Sequence, residues 1–245
     1  MGIQLQSPRN GESHCEIVRS AHFITQAVSA KCVFQKTQMK RYGIYGGAFD
    51  PVHLGHLLSA QTSLNRQKLD EIIFVPTGVS PHRTGKHSYQ TAAEHRFAML
   101  EAATADCPEF SVSRIEIDKK EISFTVETLR YFRQTLPKEA ELFLLLGADM
   151  FNDLPNWYEP AEICRLAVPA AVCRPDFPKP DFEALGNFVS VKRLKEIRRA
   201  AVDMPPIGIS STVIRQQITA GQRIRFQVPV VVEAYIVEHN LYRTE

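Results

Sequence analysis

No run of apolar residues in this 245-residue chain approaches the roughly 18 that a membrane-crossing helix needs. Charge breaks the hydrophobic stretches throughout, which excludes an integral membrane protein of the helical kind. Cysteine is sparse and unpatterned: Cys15, Cys32, Cys107, Cys164 and Cys173 are odd in number and form no CxxC pair. A disulfide framework and a structural zinc site are thereby disfavoured, and a reduced, cytoplasmic protein is expected. Neither sign of charge dominates. The net charge of +2 gives no general affinity for nucleic acid, and the one basic run, "VKRLKEIRR" (191–199), reads as a solvated surface. Internal repeats and low-complexity segments are absent too.

What is present is a chain with 44% hydrophobic residues, enough for a substantial core. Residues 1–38 lack both alternation and helical spacing. "AHFITQAVSA" (21–30) is too weak and too late for a signal peptide, and Glu12 and Glu16 argue against an acid-poor transit sequence. This segment is expected to be an N-terminal extension outside the catalytic unit, either disordered or translated upstream of a start at Met39. The unit itself is expected to span 39–245.

From residue 41 strands and helices alternate. "RYGIYGG" (41–47), "EIIFVPT" (71–77), "ELFLLLGAD" (141–149) and "LAVPAAVCRP" (166–175) read as buried strands. Segments 54–67, 91–105 and 123–136 read as helices. "SSTVIRQQITAG" and "VPVVVEAYIVEHNLY" add two more near the C terminus. Continuous apolar strands separated by helices indicate a parallel sheet covered on both faces. The expected fold is a doubly wound, Rossmann-like α/β domain with a helical C-terminal portion.

In such folds ligands bind at the carboxyl ends of strands. "YGGAFDPVHLGH" (45–56) lies at one such end. Gly46 and Gly47 allow backbone N–H groups close to a ligand, and the following helix start favours an anion. His53 and His56 are spaced to share one side of the first helical turn and donate to that anion. Pro51 suits an early turn position, and Asp50 is a candidate cap. Taken alone, two histidines three apart are more often plain surface or core residues of a helix. The glycines do not form GxGxxG, no GK[ST] follows for a P-loop, and no third ligand supports zinc. A second basic helix start is "ISSTVIR" (209–215): Ser210 or Ser211 can cap it, yet Arg215 follows with no acid nearby, against the helix dipole unless an anion binds there.

These stretches resemble a known family. "GGAFDPVHLGH" is similar to the GG-x-FDP-x-H-x-GH signature of nucleotidylyltransferases, specifically bacterial nicotinate-nucleotide adenylyltransferases. "SPHRTGK" (80–86), "SFTVETL" (123–129), "LLLGADMFNDLPNWYEP" (144–160), "CRP" (173–175), "ISSTVIR" and "VPVVVEAYIVEHNLY" (228–242) follow in the family order, covering about residues 40–243. The resemblance implies transfer of the adenylyl group of ATP to nicotinate mononucleotide, giving nicotinate adenine dinucleotide and pyrophosphate on the way to NAD. It implies His53, His56 and Arg215 as catalytic groups, and Gly46, Gly47, Ala48, Phe49, Ser211 and Thr212 at ATP. His82, Arg83, Thr125, Gly147, Asp149 and Trp157 would face the mononucleotide, with Lys86 a weaker candidate. Mg²⁺ would be carried by substrate phosphates, with no metal site of the protein's own. Ala48 stands where the family more often has Thr, and Phe124 where it has Tyr. A homo-oligomer is compatible with the sequence, which fixes neither oligomeric state nor the choice between acid and amide substrates.

Overall fold

The computed structural model describes residues 39–79, 91–175 and 178–243. The N-terminal extension expected over residues 1–38 lies outside them. The described chain runs β1 (Arg41–Gly47), α1 (Leu54–Gln67), β2 (Glu71–Pro76), α2 (Ala93–Thr104), β3 (Phe110–Val112), α3 (Thr125–Thr135), β4 (Glu141–Gly147) and α4 (Ala148–Asp153). It continues through α5 (Pro160–Leu166), β5 (Val168–Cys173), α6 (Val191–Arg199), β6 (Val202–Asp203), α7 (Ser211–Thr219) and α8 (Val230–Glu238).

The strands form one six-stranded sheet in the order β3-β2-β1-β4-β5-β6, with every pairing parallel. Alternation along each strand sends side chains into two separate cores. Leu142, Leu144 and Leu146 of β4 meet Val126, Leu129 and Phe132 of α3 and Ile163 of α5 on one face. Phe143 and Leu145 meet Ala60 of α1, Met99 and Leu100 of α2, and Ile214, Val232 and Ile236 of α7 and α8 on the other. A strand buried on both faces has no polar side to show, which is why these segments read as unbroken apolar runs.

The chain winds outward from β1 to β3, then restarts beside β1 with β4 and winds the other way. The reversal falls between β1 and β4, and doubly wound sheets take their ligands at the carboxyl ends of the strands at such a reversal.

The structure departs from the sequence reading at several points. The expected strand over 141–149 stops at Gly147, because Ala148 already begins α4. The expected strand over 166–175 is shorter, since α5 occupies Pro160–Leu166 ahead of it. Pro169 is accommodated inside β5, because β6 pairs only with Val172 and Cys173 and, among the described residues, no strand pairs with the edge beside Pro169. "VKRLKEIRR" is the amphipathic helix α6, whose Ile197 is buried in the core and whose Arg193 donates to the Cys164 carbonyl, while Lys192, Lys195, Arg198 and Arg199 are exposed.

Candidate active site

The loop after β1 is held in a conformation that its side chains would not choose. Phe49 has φ 49°, in the left-handed region that a bulky residue avoids. The Phe49 ring, 1% exposed, sits edge-on to Tyr45, His56 and Phe74 at centroid distances of 5.5, 5.0 and 5.7 Å. Burying that ring in the core anchors the loop from below and leaves the backbone at Gly46 and Ala48 exposed above. A Cβ added at Gly46 would meet no protein atom within 4 Å, so the space beside it is open to a ligand.

His53 is the N-cap of α1, a role expected for Asp50. Its Nδ1 accepts the His56 N–H at 3.3 Å, while the His56 Nδ1 accepts the His53 N–H at 3.4 Å. This reciprocal cap stacks the two rings at 3.7 Å, tilted by 18°. With both Nδ1 atoms accepting, the ring hydrogens of the neutral imidazoles fall on Nε2. Burial, followed by the charge of Arg174, lowers the His53 pKa to about 3. Burial, His53 and Arg174 likewise hold His56 well below the ordinary imidazole value. At neutral pH the pair is therefore uncharged and supplies hydrogen-bond donors. Gly55 is part of the geometry: a Cβ there would lie 3.0 Å from the His53 ring.

Asp50 is buried by a different partner. The Tyr242 hydroxyl, near the C terminus, donates to Asp50 Oδ1 at 2.7 Å. From the other side α7 grips the same loop. Ser210 is its N-cap, accepting the Val213 N–H, and the Ser211 hydroxyl donates to the Pro51 carbonyl at 2.9 Å. Arg215, the fifth residue of α7, donates through Nη1 to the Asp50 carbonyl at 2.7 Å, and its buried Nε–H has no partner among the described residues. Thr212 is exposed at the helix start. Neither α1 nor α7 has an acidic residue in its first turn, so both positive helix ends meet at one loop without an acidic side chain of their own.

Across the switch point, Gly147 caps α4, and Asp149 is exposed in its first turn, with its carboxylate folded back over Gly147. Asp149 and Arg174 both act electrostatically on the buried Tyr45 hydroxyl, whose pKa burial raises.

A second cluster forms around α3. Thr125 is its first residue, and Phe124, with no oxygen to offer, precedes it as N-cap. The Phe124 ring lies 4.9 Å from Tyr158, and Trp157 next door is half-buried, with its indole N–H donated to Asp153 at 3.1 Å. Glu159, at φ 52°, is tied by Arg130 of α3, which fixes this aromatic turn against α3.

The structure thus gathers Gly46, Gly47, Ala48, Phe49, His53, His56, Ser211, Thr212 and Arg215 around one loop. Gly147 and Asp149 stand on the adjacent strand end, and Thr125 and Trp157 in the α3 cluster. His82 and Arg83, with the weaker Lys86, lie outside the described residues. Three residues given no role from sequence support the site. Arg174 was visible only as part of "CRP". Arg96 was signalled by a charge sharing a helix face with Met99 and Leu100. Tyr242 was visible only as the last residue of "VPVVVEAYIVEHNLY", and its contact has no local signal because its partner is 192 positions away.

Fold and cleft together define the class: a doubly wound α/β protein whose switch point is lined with neutral donors, a guanidinium and two helix starts. The profile of the family described as Cytidylyltransferase-like matches residues 44–217. A probable nicotinate-nucleotide adenylyltransferase of Thermomicrobium roseum is 38% identical over 206 residues, covering 84% of this chain and 93% of that protein. One of the same description from Thermus thermophilus is 38% identical over 83% of this chain and all of its own length. In fold, the chain is similar to the Plasmodium falciparum nicotinic acid mononucleotide adenylyltransferase solved with NaAD. The TM-score is 0.61 at 20% identity, covering 83% of this chain and 97% of that one. The chain belongs to the cytidylyltransferase-like family and, within it, to the nicotinate-nucleotide adenylyltransferases.

Proposed function

We propose that this enzyme transfers the adenylyl group of ATP to the phosphate of nicotinate mononucleotide, releasing pyrophosphate and nicotinate adenine dinucleotide. The observation that carries the reading is the reciprocal His53–His56 cap, which fixes two uncharged imidazoles side by side at the start of α1. In the reaction a mononucleotide phosphate oxygen bonds to the α-phosphorus of ATP as the bond to the bridging oxygen of pyrophosphate breaks. The protein need supply no nucleophile; it positions two phosphates and stabilises the charge that moves onto the departing one.

In this account the Nε2–H groups of His53 and His56 donate to triphosphate oxygens. Because the rings are neutral, they do so without the desolvation cost of two buried cations. Arg215 and the α7 start, with Ser211 and Thr212, hold the far end of the triphosphate, and the loop Gly46, Gly47, Ala48 and Phe49 lies along it, exposed at Gly46 and Ala48. Arg174 adds a second guanidinium at the end of β5. Trp157 offers a flat face to the pyridine ring, and Thr125 offers hydroxyl and backbone N–H to its carboxylate. Gly147 and Asp149 lie beside the ribose. His82 and Arg83 take the mononucleotide phosphate.

For Mg²⁺ the residues fit a metal held by substrate rather than by the protein. Among the described residues no three His, Cys, Asp or Glu side chains come together as a ligand set. Mg²⁺ commonly keeps phosphate oxygens and water as its ligands, and bound to the triphosphate it would neutralise charge on the leaving group. The working compartment in this reading is the cytoplasm.

The test is product analysis by chromatography. Purified enzyme, ATP and Mg²⁺ are incubated with nicotinate or nicotinamide mononucleotide, with His56→Ala as control. Dinucleotide and pyrophosphate in equal amounts from the acid, lost in the variant, support the assignment. Equal or faster turnover of the amide would reassign the substrate, and no product from either would overturn the reaction.

A further inference from the structure

Between the phosphate loop and the α3 cluster runs a short segment, Thr77–Val79, that leaves β2. On its phosphate side, the Thr77 N–H donates to the Gly47 carbonyl at 2.9 Å. Arg96 of α2, 1% exposed, spans the same junction: Nη1 donates to the Ala48 carbonyl and Nη2 to the Thr77 carbonyl, both at 2.7 Å, and Nε to the Thr91 carbonyl at 3.3 Å. One rigid guanidinium fork thus ties the loop after β1, the end of β2 and the approach to α2.

On its other side the segment meets Glu116, itself buried. The Glu116 carboxylate accepts the Gly78 N–H and, at 2.8 Å, the Thr128 hydroxyl of α3. Burial pushes the Glu116 pKa up, and Thr128, Gly78, Lys119 and Arg96 oppose that rise in decreasing order. The backbones are in close register as well: a Cβ at Gly78 would come within 1.9 Å of the Glu116 carbonyl oxygen. Val79 then bridges Ile122 and accepts the Ser123 N–H at 2.9 Å, two residues before Thr125.

We infer that Thr77–Val79, gripped by Arg96 on one side and by Glu116 with Thr128 on the other, sets the spacing between the triphosphate half-site and the mononucleotide half-site. Arg96 and Glu116 are then positioning residues, touching neither substrate. The inference rests on the function proposed above for its consequence, though not for its geometry. In-line transfer depends steeply on how the two phosphates are aligned, and a misplacement of about 1 Å can cost on the order of a hundredfold in rate. A loosened segment leaves each half-site intact and misaligns the pair.

The test compares wild type with Arg96→Lys, Glu116→Gln and Thr128→Val, the last two preserving shape should the buried arginine variant fail to fold. The first readout is amide hydrogen exchange, which needs no activity. Changes at Glu116 or Thr128 should speed exchange about threefold or more across the segment at Gly47–Phe49, and Arg96→Lys should do so at Ser123–Glu127. The second is the kinetic split: kcat falls by about tenfold or more, while KM for each substrate stays within about threefold. Exchange that rises only on the mutated side, or a kcat loss no larger than the unfolded fraction, would overturn the inference. Wild-type enzyme without adenylyl transfer would sink the functional reading instead, and the exchange data would still decide the coupling.

Discussion

Replacing His53 by asparagine separates the cap of α1 from the group that titrates. Asparagine is as good an N-cap as any residue and keeps an acceptor for the His56 N–H, so the helix start survives the change. The imidazole it removes has a folded pKa of about 3, mainly because it is buried, against about 6.5 in an unfolded chain. A group depressed in this way binds its proton more readily when the protein is unfolded. Its contribution to stability is complete above the unfolded value and is lost as pH falls through 6.5 toward the folded value. Between pH 7 and pH 5 that single residue should cost the native state about 2 kcal/mol. His56 is shifted in the same direction, but it remains in both proteins and largely cancels in the comparison. Urea unfolding followed by circular dichroism at the two pH values gives the number directly. The loss on acidification should be about 2 kcal/mol larger in wild type than in His53→Asn. Equal losses would refute the reasoning, because they would mean that His53 is not held neutral in the folded site.

Other expectations follow from single contacts. In Gly55→Ala the new methyl group, 3.0 Å from the His53 ring, should displace that ring and lower kcat about tenfold, with the far-ultraviolet spectrum unchanged. Tyr242→Phe removes one hydrogen-bond donor to the buried Asp50 carboxylate and should cost about 1–3 kcal/mol in urea unfolding, with KM for ATP rising in steady-state assays. Trp157→Ala should raise KM for the mononucleotide about tenfold and leave KM for ATP unchanged, whereas Trp157→Phe keeps a stacking face and should recover most of the loss.

Much of this architecture can be read directly from the chain, for a physical reason. Strands buried on both faces, such as "ELFLLLG", must be apolar at every position, so they stand out without any partner being known. The His53–His56 pair was legible because three-residue spacing places both rings at one helix turn, a local relation. What was not legible is the identity of the cap. Asp50 has the usual cap chemistry, but α1 begins only at Leu54, so His53 holds the cap position while the Asp50 carboxylate accepts from Tyr242 at the far end of the chain. Arg96 and Glu116 were missed for the same reason: a buried charge is explained by the carbonyls, N–H and hydroxyl groups around it, and those come from four separate segments. Helices α4 and α5 were hidden because each is a few residues long, too short for a helical period to register.

The central claim is that this site aligns two phosphates and contributes no nucleophile of its own. The most direct measurement is the stereochemical course of transfer from ATP carrying a chiral sulfur-substituted α-phosphate to nicotinate mononucleotide. Direct in-line attack inverts the configuration at phosphorus, and inversion is the expected result. Retention would require two successive displacements through an adenylylated side chain, and would contradict the account.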